Sequence, residues 1–450
     1  MNDGDVLLRA IEDVPLLRRT GTVVEVRGDV LTVAGMAAQT GELISIEGPA
    51  GVRRLGEAVR VRGTECQVAL IERGPVAIGS AARALHRTLE APVAPALVGR
   101  VLDGLGRPLD ERPLPLATQW RPARVEPLAA LERPPIRRRL ATGVRAIDAF
   151  LTLGRGQRVG IFAGSGVGKS TLLGMLARGT EADVTVLALI GERGREVREF
   201  IEHDLGDEGL RRAVVVSSTS DTPAPLRLAA AEVATAIAEG FRDAGLDVLL
   251  LFDSLTRVAM AQREVGLASG EPPTTRGYPP SVFTSLPRLV ERAGAAPRGS
   301  ITAIYTVLVD GDDLDEPISD LARATLDGHI VLSRTLANAG HYPPIDVLAS
   351  VSRLAPKVAD GEHLAAARHL RGLLAAFEEA RDLIAIGAYV RGSDPRVDEA
   401  LELRPELERF LRQEAAEAAD FEDTRSWLLR LARRREGAGS AAQAVWEDAT

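Results

Sequence analysis

The stretch Ala163-Gly164-Ser165-Gly166-Val167-Gly168-Lys169-Ser170-Thr171 decides the fold. It follows an apolar run, Val159-Gly160-Ile161-Phe162, and precedes Leu172-Leu173-Gly174-Met175-Leu176. That order reads as strand, glycine-rich loop and helix. Such a loop turns backbone N–H groups inward, and the helix N-terminus adds its positive end, so the turn cradles a polyphosphate. Gly164, Ser165, Gly166, Val167 and Gly168 form the cradle, with Thr171 closing the nucleotide-binding run. Lys169 can reach the β- and γ-phosphates, and the Ser170 hydroxyl can ligate Mg2+. The motif commonly opens on glycine; here that position is Ala163.

The 450 residues suffice for two or three domains with a large core. A net charge of −8 argues against a protein that coats nucleic acid. Cys66 is the single cysteine, which excludes an intrachain disulfide and fits a reducing compartment. The first residues, Met1-Asn2-Asp3-Gly4-Asp5, are acidic and lack the apolar core of a signal peptide. No apolar run approaches the roughly 20 residues that span a bilayer, so membrane contact is expected to be peripheral or through a partner.

Working outward, residues 20–90 carry short apolar or alternating runs at near-regular spacing. Thr22-Val23-Val24-Glu25-Val26 and Val30-Leu31-Thr32-Val33 flank Arg27-Gly28-Asp29, a hairpin signal, and further runs follow at 43–46, 58–61 and 67–71. The spacing predicts a small β-barrel. Trp120 is the first aromatic residue of the chain, so this barrel has no stacking platform for single-stranded bases. Residues 91–135, rich in proline and arginine, read as a linker that wraps onto the next domain. From about Gly143, apolar strand candidates at 159–162, 184–190, 213–217, 248–252, 301–309 and 329–332 alternate with helical stretches. That pattern predicts a doubly wound α/β P-loop NTPase (RecA-like) core. Residues 361–435 read as a small helical domain punctuated by Pro395 and Pro405. Its stripe comprises Leu370, Leu373, Leu374, Phe377, Leu401, Leu403, Leu407, Phe410 and Leu411. Arg433-Arg434-Arg435 reads as a solvated helix end, the alternative being a site for an acidic partner or lipid, and 1–19 and 436–450 read as tails.

Three further constellations fall at predicted strand ends. Leu250-Leu251-Phe252-Asp253-Ser254 places a carboxylate where it serves the Mg2+ shell, or simply caps a helix. Ile190-Gly191-Glu192-Arg193 places Glu192 to polarise an attacking water and Arg193 to hold phosphate or organise an interface; the alternative is a solvated charge cluster. Tyr342 through Arg353 offers Tyr342 as a stacking partner for adenine. Arg353 reads as an arginine finger or, on its own, as a structural ion pair.

In this order the pieces resemble the hexameric ATPases related to the α and β subunits of rotary ATP synthase. Pro343-Pro344-Ile345-Asp346-Val347-Leu348-Ala349-Ser350-Val351-Ser352 is similar to that superfamily's signature. The stretches 191–201, 260–264, 270–283 and 305–313 resemble the ATPases of type III protein export, flagellar or injectisome. The resemblance implies that Glu192 is the catalytic glutamate with Arg193 beside it. It makes Asp253 the strand-end aspartate of the Mg2+ site, Tyr342 the adenine-stacking aromatic and Arg353 a finger received by the neighbouring subunit. It further implies a homohexamer in the cytoplasm that hydrolyses ATP and lies peripherally at the inner membrane through its partners. Those partners would be a regulator or stator, a central stalk, the export gate and chaperone–cargo complexes, with no nucleic acid. Ser165-Gly166-Val167-Gly168 and Ile386-Gly387-Ala388-Tyr389-Val390-Arg391-Gly392-Ser393-Asp394-Pro395 are similar to flagellar members. The rivals are an injectisome ATPase, a non-hydrolysing ring subunit, an RNA-translocating ring and an ATP-synthesising subunit. Glu192 speaks against the second, and the aromatic-free barrel with the acidic charge against the third.

Overall fold

The computed structural model describes residues 20–309 and 315–433. The expected tails, Asp310–Asp313 of one export-type stretch, and Arg434 and Arg435 lie outside the described residues.

Six strands close the predicted barrel: β1 (Thr20–Arg27), β2 (Val30–Ala34), β3 (Glu42–Glu47), β4 (Arg53–Arg62), β5 (Glu65–Leu70) and β6 (Ala81–Thr88). They run in the order β1-β2-β5-β4-β3-β6, and β6 returns to β1. The β1–β2 hairpin turns on Gly28-Asp29, with Gly28 at φ +59°. Val23, Leu31, Val33, Ile44, Ile46 and Val68 fill the barrel, and Cys66 is a buried member of that core.

The proline- and arginine-rich stretch is not a linker. β7 (Glu90–Val93) pairs with β9 (Gln119–Pro122), and between them β8 (Arg100–Asp103) joins the central sheet as its edge, parallel to the later strand Ala213–Ser218. The four-residue run Arg-Val-Leu-Asp carries too little pattern to announce a strand; tertiary pairing makes it one. The buried Arg100 organises the loop between β8 and β9. Its guanidinium binds both oxygens of Asp110 (2.6 and 2.8 Å) and the Pro113 carbonyl (3.0 Å), holding the Asp110 carboxyl well below the usual range.

A short ribbon of β10 (Arg139–Leu140) and β11 (Leu153–Gly154) precedes the main strands: β12 (Arg158–Ala163), β13 (Val184–Ile190), β14 (Ala213–Ser218), β15 (Asp247–Asp253), β16 (Gly294–Ala295), β17 (Ser300–Leu308), β18 (Gly328–Leu332) and β19 (Ile345–Ser352). The sheet order is β19-β18-β12-β17-β15-β13-β14-β8, with β16 paired to β17. All neighbours in the path are parallel except β18 and β19. Strands such as β13 and β14 are buried at every position because helices cover both faces, which explains their unbroken apolar sequence.

The C-terminal region is helical, with Gly361–Ala385, Pro395–Leu411 and a helix that begins at 421. Pro395 opens its helix at the first turn, as the reading of a break required, but Pro405 lies inside the same helix. Leu370, Leu373, Leu403, Leu407 and Phe410 pack into the core that also holds the P-loop helix, so the apolar stripe is structural.

A buried ion network ties the barrel to the α/β core. Arg292 makes two bonds to Glu239 (2.9 and 2.7 Å), and both side chains are 2% exposed. Arg292 also binds Glu232 (2.5 Å) and the Ala123 carbonyl, while Arg124 bridges Glu232 and Glu57 of β4. Arg292→Ala removes both close bonds of the buried Glu239, leaving it only Arg121 at 3.5 Å, and leaves Glu232 only Arg124 at 3.7 Å; it is expected to cost about 3–5 kcal/mol of stability. Urea unfolding monitored by circular dichroism checks this; a loss under about 1 kcal/mol, the scale of exposed pairs, would contradict it.

Candidate functional site

The P-loop begins where β12 ends. Ala163 is the last residue of that strand, buried between neighbouring strands, and its carbonyl accepts from Val309 N (3.0 Å). Ordinary strand backbone at this position accommodates a methyl group, which is why alanine replaces the usual glycine. Farther along, glycine is required. Gly166 and Gly168 adopt φ +75° and +89°, and Gly168 caps the helix Lys169–Gly179. Val167 is buried and pins the loop, and the Ser165 carbonyl accepts from Arg334 (3.2 Å). Ser165, Gly166, Ser170 and Thr171 are exposed around the mouth of the loop, and Gly164 is buried at its base.

Three strand ends bring Lys169, Asp253 and Glu192 together. Lys169 Nζ donates to Asp253 Oδ1 at 2.6 Å and to Glu192 Oε1 at 3.4 Å. Asp253 terminates β15 and is buried, so the carboxylate is part of the site and the helix-cap alternative falls away; the cap of the following helix is Ser254, which accepts from Arg257 N. Thr306 of β17 donates to the same Asp253 oxygen at 2.5 Å. Burial acts to lower the Lys169 ammonium, but the two carboxylates outweigh it and hold the group above its ordinary range. Burial pushes the Glu192 carboxyl up, Lys169 opposes, and the neighbouring Asp253 charge adds to the rise.

Glu192 reaches this position because Gly191, the residue after β13, turns the chain at φ +75°. A Cβ there would lie 2.8 Å from that of Arg257. Arg257 therefore packs directly beneath the turn, and its charge lowers Glu192. Thr306 and Arg257 escaped sequence reasoning. Thr306 lies within β17 and Arg257 in the first turn of the helix after β15, and only the pairing of β15 with β17 and the turn after β13 bring them to the site.

Two sequence-predicted residues stand apart from the cluster. Arg193 is 76% exposed and pairs with Glu196 (3.5 Å) at the start of the next helix. Arg353 follows β19, the antiparallel edge strand, so it emerges at the opposite end of the sheet from the P-loop. Its N–H donates to the Asp327 carbonyl and its exposed guanidinium to the Arg323 carbonyl (3.2 Å); Asp327 N in turn donates to Arg158 O, where β12 begins. The length of β12, about 20 Å at strand rise, separates Arg353 from its own phosphate loop. Its guanidinium contact is a carbonyl and not a carboxylate, so the ion-pair reading has no support in its surroundings.

Tyr342 borders a cleft of about 450 Å3 beside the P-loop helix. Gly168, Met175, Pro344, Gln413 and Glu417 share the lining. The Tyr342 ring edge lies 3.5 Å from where a Gly168 Cβ would stand. A flat ring facing an open cleft next to a phosphate loop suits an aromatic base.

The donor set also suits a hard divalent cation. Ser170 and Asp253 supply a hydroxyl and a carboxylate, the oxygens Mg2+ prefers. Among the described residues no cluster of three His, Cys, Asp or Glu forms a protein cage, so phosphate and water would provide the remaining ligands.

Phosphate loop, paired carboxylates and parallel sheet define a P-loop nucleotide hydrolase. Residues 143–352 match the nucleotide-binding domain of the ATP synthase alpha/beta family, and residues 359–430 match the T3SS EscN ATPase C-terminal domain. The flagellum-specific ATP synthase of Bacillus subtilis (strain 168) is 50% identical over 433 residues, covering 96% of this chain and 99% of that one. The type 3 secretion system ATPase of Xanthomonas euvesicatoria is 49% identical over 422 residues, covering 93% and 95%. The solved structure of the assembled ATPase EscN with its central stalk EscO, from the enteropathogenic E. coli type III secretion system, superposes with a TM-score of 0.85. It is 44% identical and covers 92% of this chain and 100% of that chain. The chain belongs to the type III export ATPases, relatives of the ATP synthase α and β subunits, and is an ATP hydrolase.

Proposed function

We propose that this chain forms a homohexameric ring that hydrolyses ATP to energise type III protein export, in the flagellar rather than the injectisome system. The observation that carries the ring is the placement of Arg353. It stands at the end of the sheet remote from Lys169, Glu192 and Asp253, so it serves a neighbour's site and not its own. Lys169 and the loop N–H groups hold the phosphates, and Ser170 and Asp253 hold Mg2+, which when bound offsets charge on the β- and γ-oxygens. Glu192 orients and deprotonates the attacking water. Tyr342 stacks on adenine, and the exposed Arg193 organises the interface.

Relatives from flagellar and secretion systems match at nearly equal identity. The flagellar assignment therefore rests on the loop Ser165–Gly168 and the run Ile386–Pro395. That run joins the helices Gly361–Ala385 and Pro395–Leu411 and exposes Ile386 and Val390, while Tyr389 bonds Asp398 (3.0 Å) to brace it. We infer a central stalk among its partners, since a similar chain is solved with its stalk EscO. A stator, the export gate and chaperone–cargo complexes are the other partners we infer. We place the domain limits at 20–90, 91–360 and 361–435. Among the described residues no helix is long and apolar enough to cross a membrane. We place the protein in the cytoplasm, held peripherally at the inner membrane by its partners.

A site completed by a neighbour makes specific activity depend on assembly. ATPase activity per subunit is expected to rise with protein concentration and to track the hexamer in sedimentation; activity independent of concentration in a monomeric sample would overturn the ring. Deletion of the gene should abolish swimming and the secretion of filament protein. Retained motility with loss of secreted effectors would favour the injectisome.

A further inference from the structure

We propose that Gln413 is a positioning residue for the nucleotide base: it locks Tyr342 to the C-terminal helical region and thereby sets the affinity for ATP rather than the rate of its hydrolysis. The inference rests on the reading of Tyr342 as the base-stacking side chain.

Three chain segments wall the cleft beside the phosphate loop: the P-loop helix at Thr171 and Met175, the turn 340–344 that carries Tyr342, and the segment 412–417 that follows the helix Pro395–Leu411. Tyr342 is 48% exposed, so packing does not immobilise its ring. Its backbone is what the protein holds, and the Tyr342 carbonyl accepts from the Gln413 N–H at 2.9 Å.

Both polar atoms of the Gln413 side chain are held as well. The side chain belongs to a residue only 5% exposed. Oε1 accepts from Arg145 N (2.9 Å), and Nε2 donates to the carbonyls of Gly143 (2.7 Å) and Glu417 (2.8 Å). One acceptor and two donors are needed at one place, and only an amide of this length supplies both. Gly143 in turn lies against Gly179, where an added Cβ would meet Gly179 atoms at 3.0–3.2 Å. Gln413 therefore joins the base wall to the loop that packs on the far end of the P-loop helix.

The phosphate end does not depend on this staple. Lys169 is at the opposite end of the eleven-residue helix, and buried Val167, Leu172 and Leu173 anchor the loop. Loss of Gln413 would leave buried partners unsatisfied and release the segment 412–417 with Tyr342, while the phosphate cradle keeps its geometry.

The test uses the full chain under assembling conditions and compares two ligands that share phosphates but not a base. KM and kcat are measured with Mg-ATP, and inorganic Mg-tripolyphosphate is titrated as a competitive inhibitor. In Gln413→Ala, KM for ATP is expected to rise roughly five- to tenfold, with kcat and the tripolyphosphate inhibition constant within about twofold of the parent. Gln413→Glu keeps the shape and the acceptor but loses both donors, so it should raise KM in the same selective way. It also serves where the alanine variant fails to fold. An unchanged KM for ATP, or an equal rise for ATP and tripolyphosphate, would overturn the assignment, the latter marking general loosening. Tyr342→Ala separates the two ideas. If it raises KM and the Gln413 variants do not, the positioning role alone fails; if it leaves KM unchanged, the stacking reading fails and the inference falls with it.

Discussion

Replacing Glu192 by glutamine is expected to lower kcat about 10²- to 10⁴-fold while leaving ATP binding intact. Glutamine keeps the size of the side chain but cannot take a proton from water. The substitution leaves the 2.6 Å bond of Lys169 Nζ to Asp253 untouched, so the proposed phosphate cradle is expected to persist. The test is a fluorescent-nucleotide titration beside a phosphate-release assay; wild-type turnover in the variant would remove Glu192 from its role. The parent enzyme should carry a matching signature in its pH profile. Burial raises the Glu192 carboxyl, and a base works only when ionised, so kcat/KM should fall as pH drops through a value above the ordinary glutamate range. Above that value the base is fully ionised and the acid limb flattens. The limb should vanish in Glu192→Gln.

The reach of the sequence differs between the halves of the site. Asp253 announces itself because it ends an apolar strand, and a residue at the carboxyl end of a buried parallel strand has one place to go; Lys169 does so through the glycine loop that joins such a strand to the helix it opens. Glu192 needed more, since the turn that delivers it depends on Gly191 and on Arg257 beneath it. Thr306 and Gln413 lay beyond reach. Thr306 bonds Asp253 because β17 lies beside β15, and Gln413 acts 270 residues away from Gly143. Such contacts are decided by packing, which no local periodicity encodes. The same limit explains β8. Its pairing with β14 is parallel and remote, and the prolines after it resemble a linker.

Arg353→Ala is expected to reduce kcat by about 10³-fold or more, the scale of an arginine finger, without weakening nucleotide binding to the isolated chain. Topology sets this expectation. β19 alone in the sheet path runs antiparallel, so the residue after it leaves at the end where β12 starts, remote from Lys169. A structural role in its own subunit would show as lost stability, yet the side chain is exposed and its guanidinium contact is one carbonyl at 3.2 Å. Unfolding midpoints of variant and parent should therefore agree. The decisive measurement is complementation. On the proposed roles, Lys169→Ala subunits would lose the phosphate grip but still carry Arg353, and Arg353→Ala subunits would retain an intact cradle. Each is expected to be inactive alone, and their mixture should recover activity, because some interfaces then pair a working cradle with a working finger. A mixture as inactive as its components, under conditions where sedimentation shows mixed rings, would mean that Arg353 does not act across the interface. Recovery in the mixture would distinguish a shared site from one that each subunit completes alone.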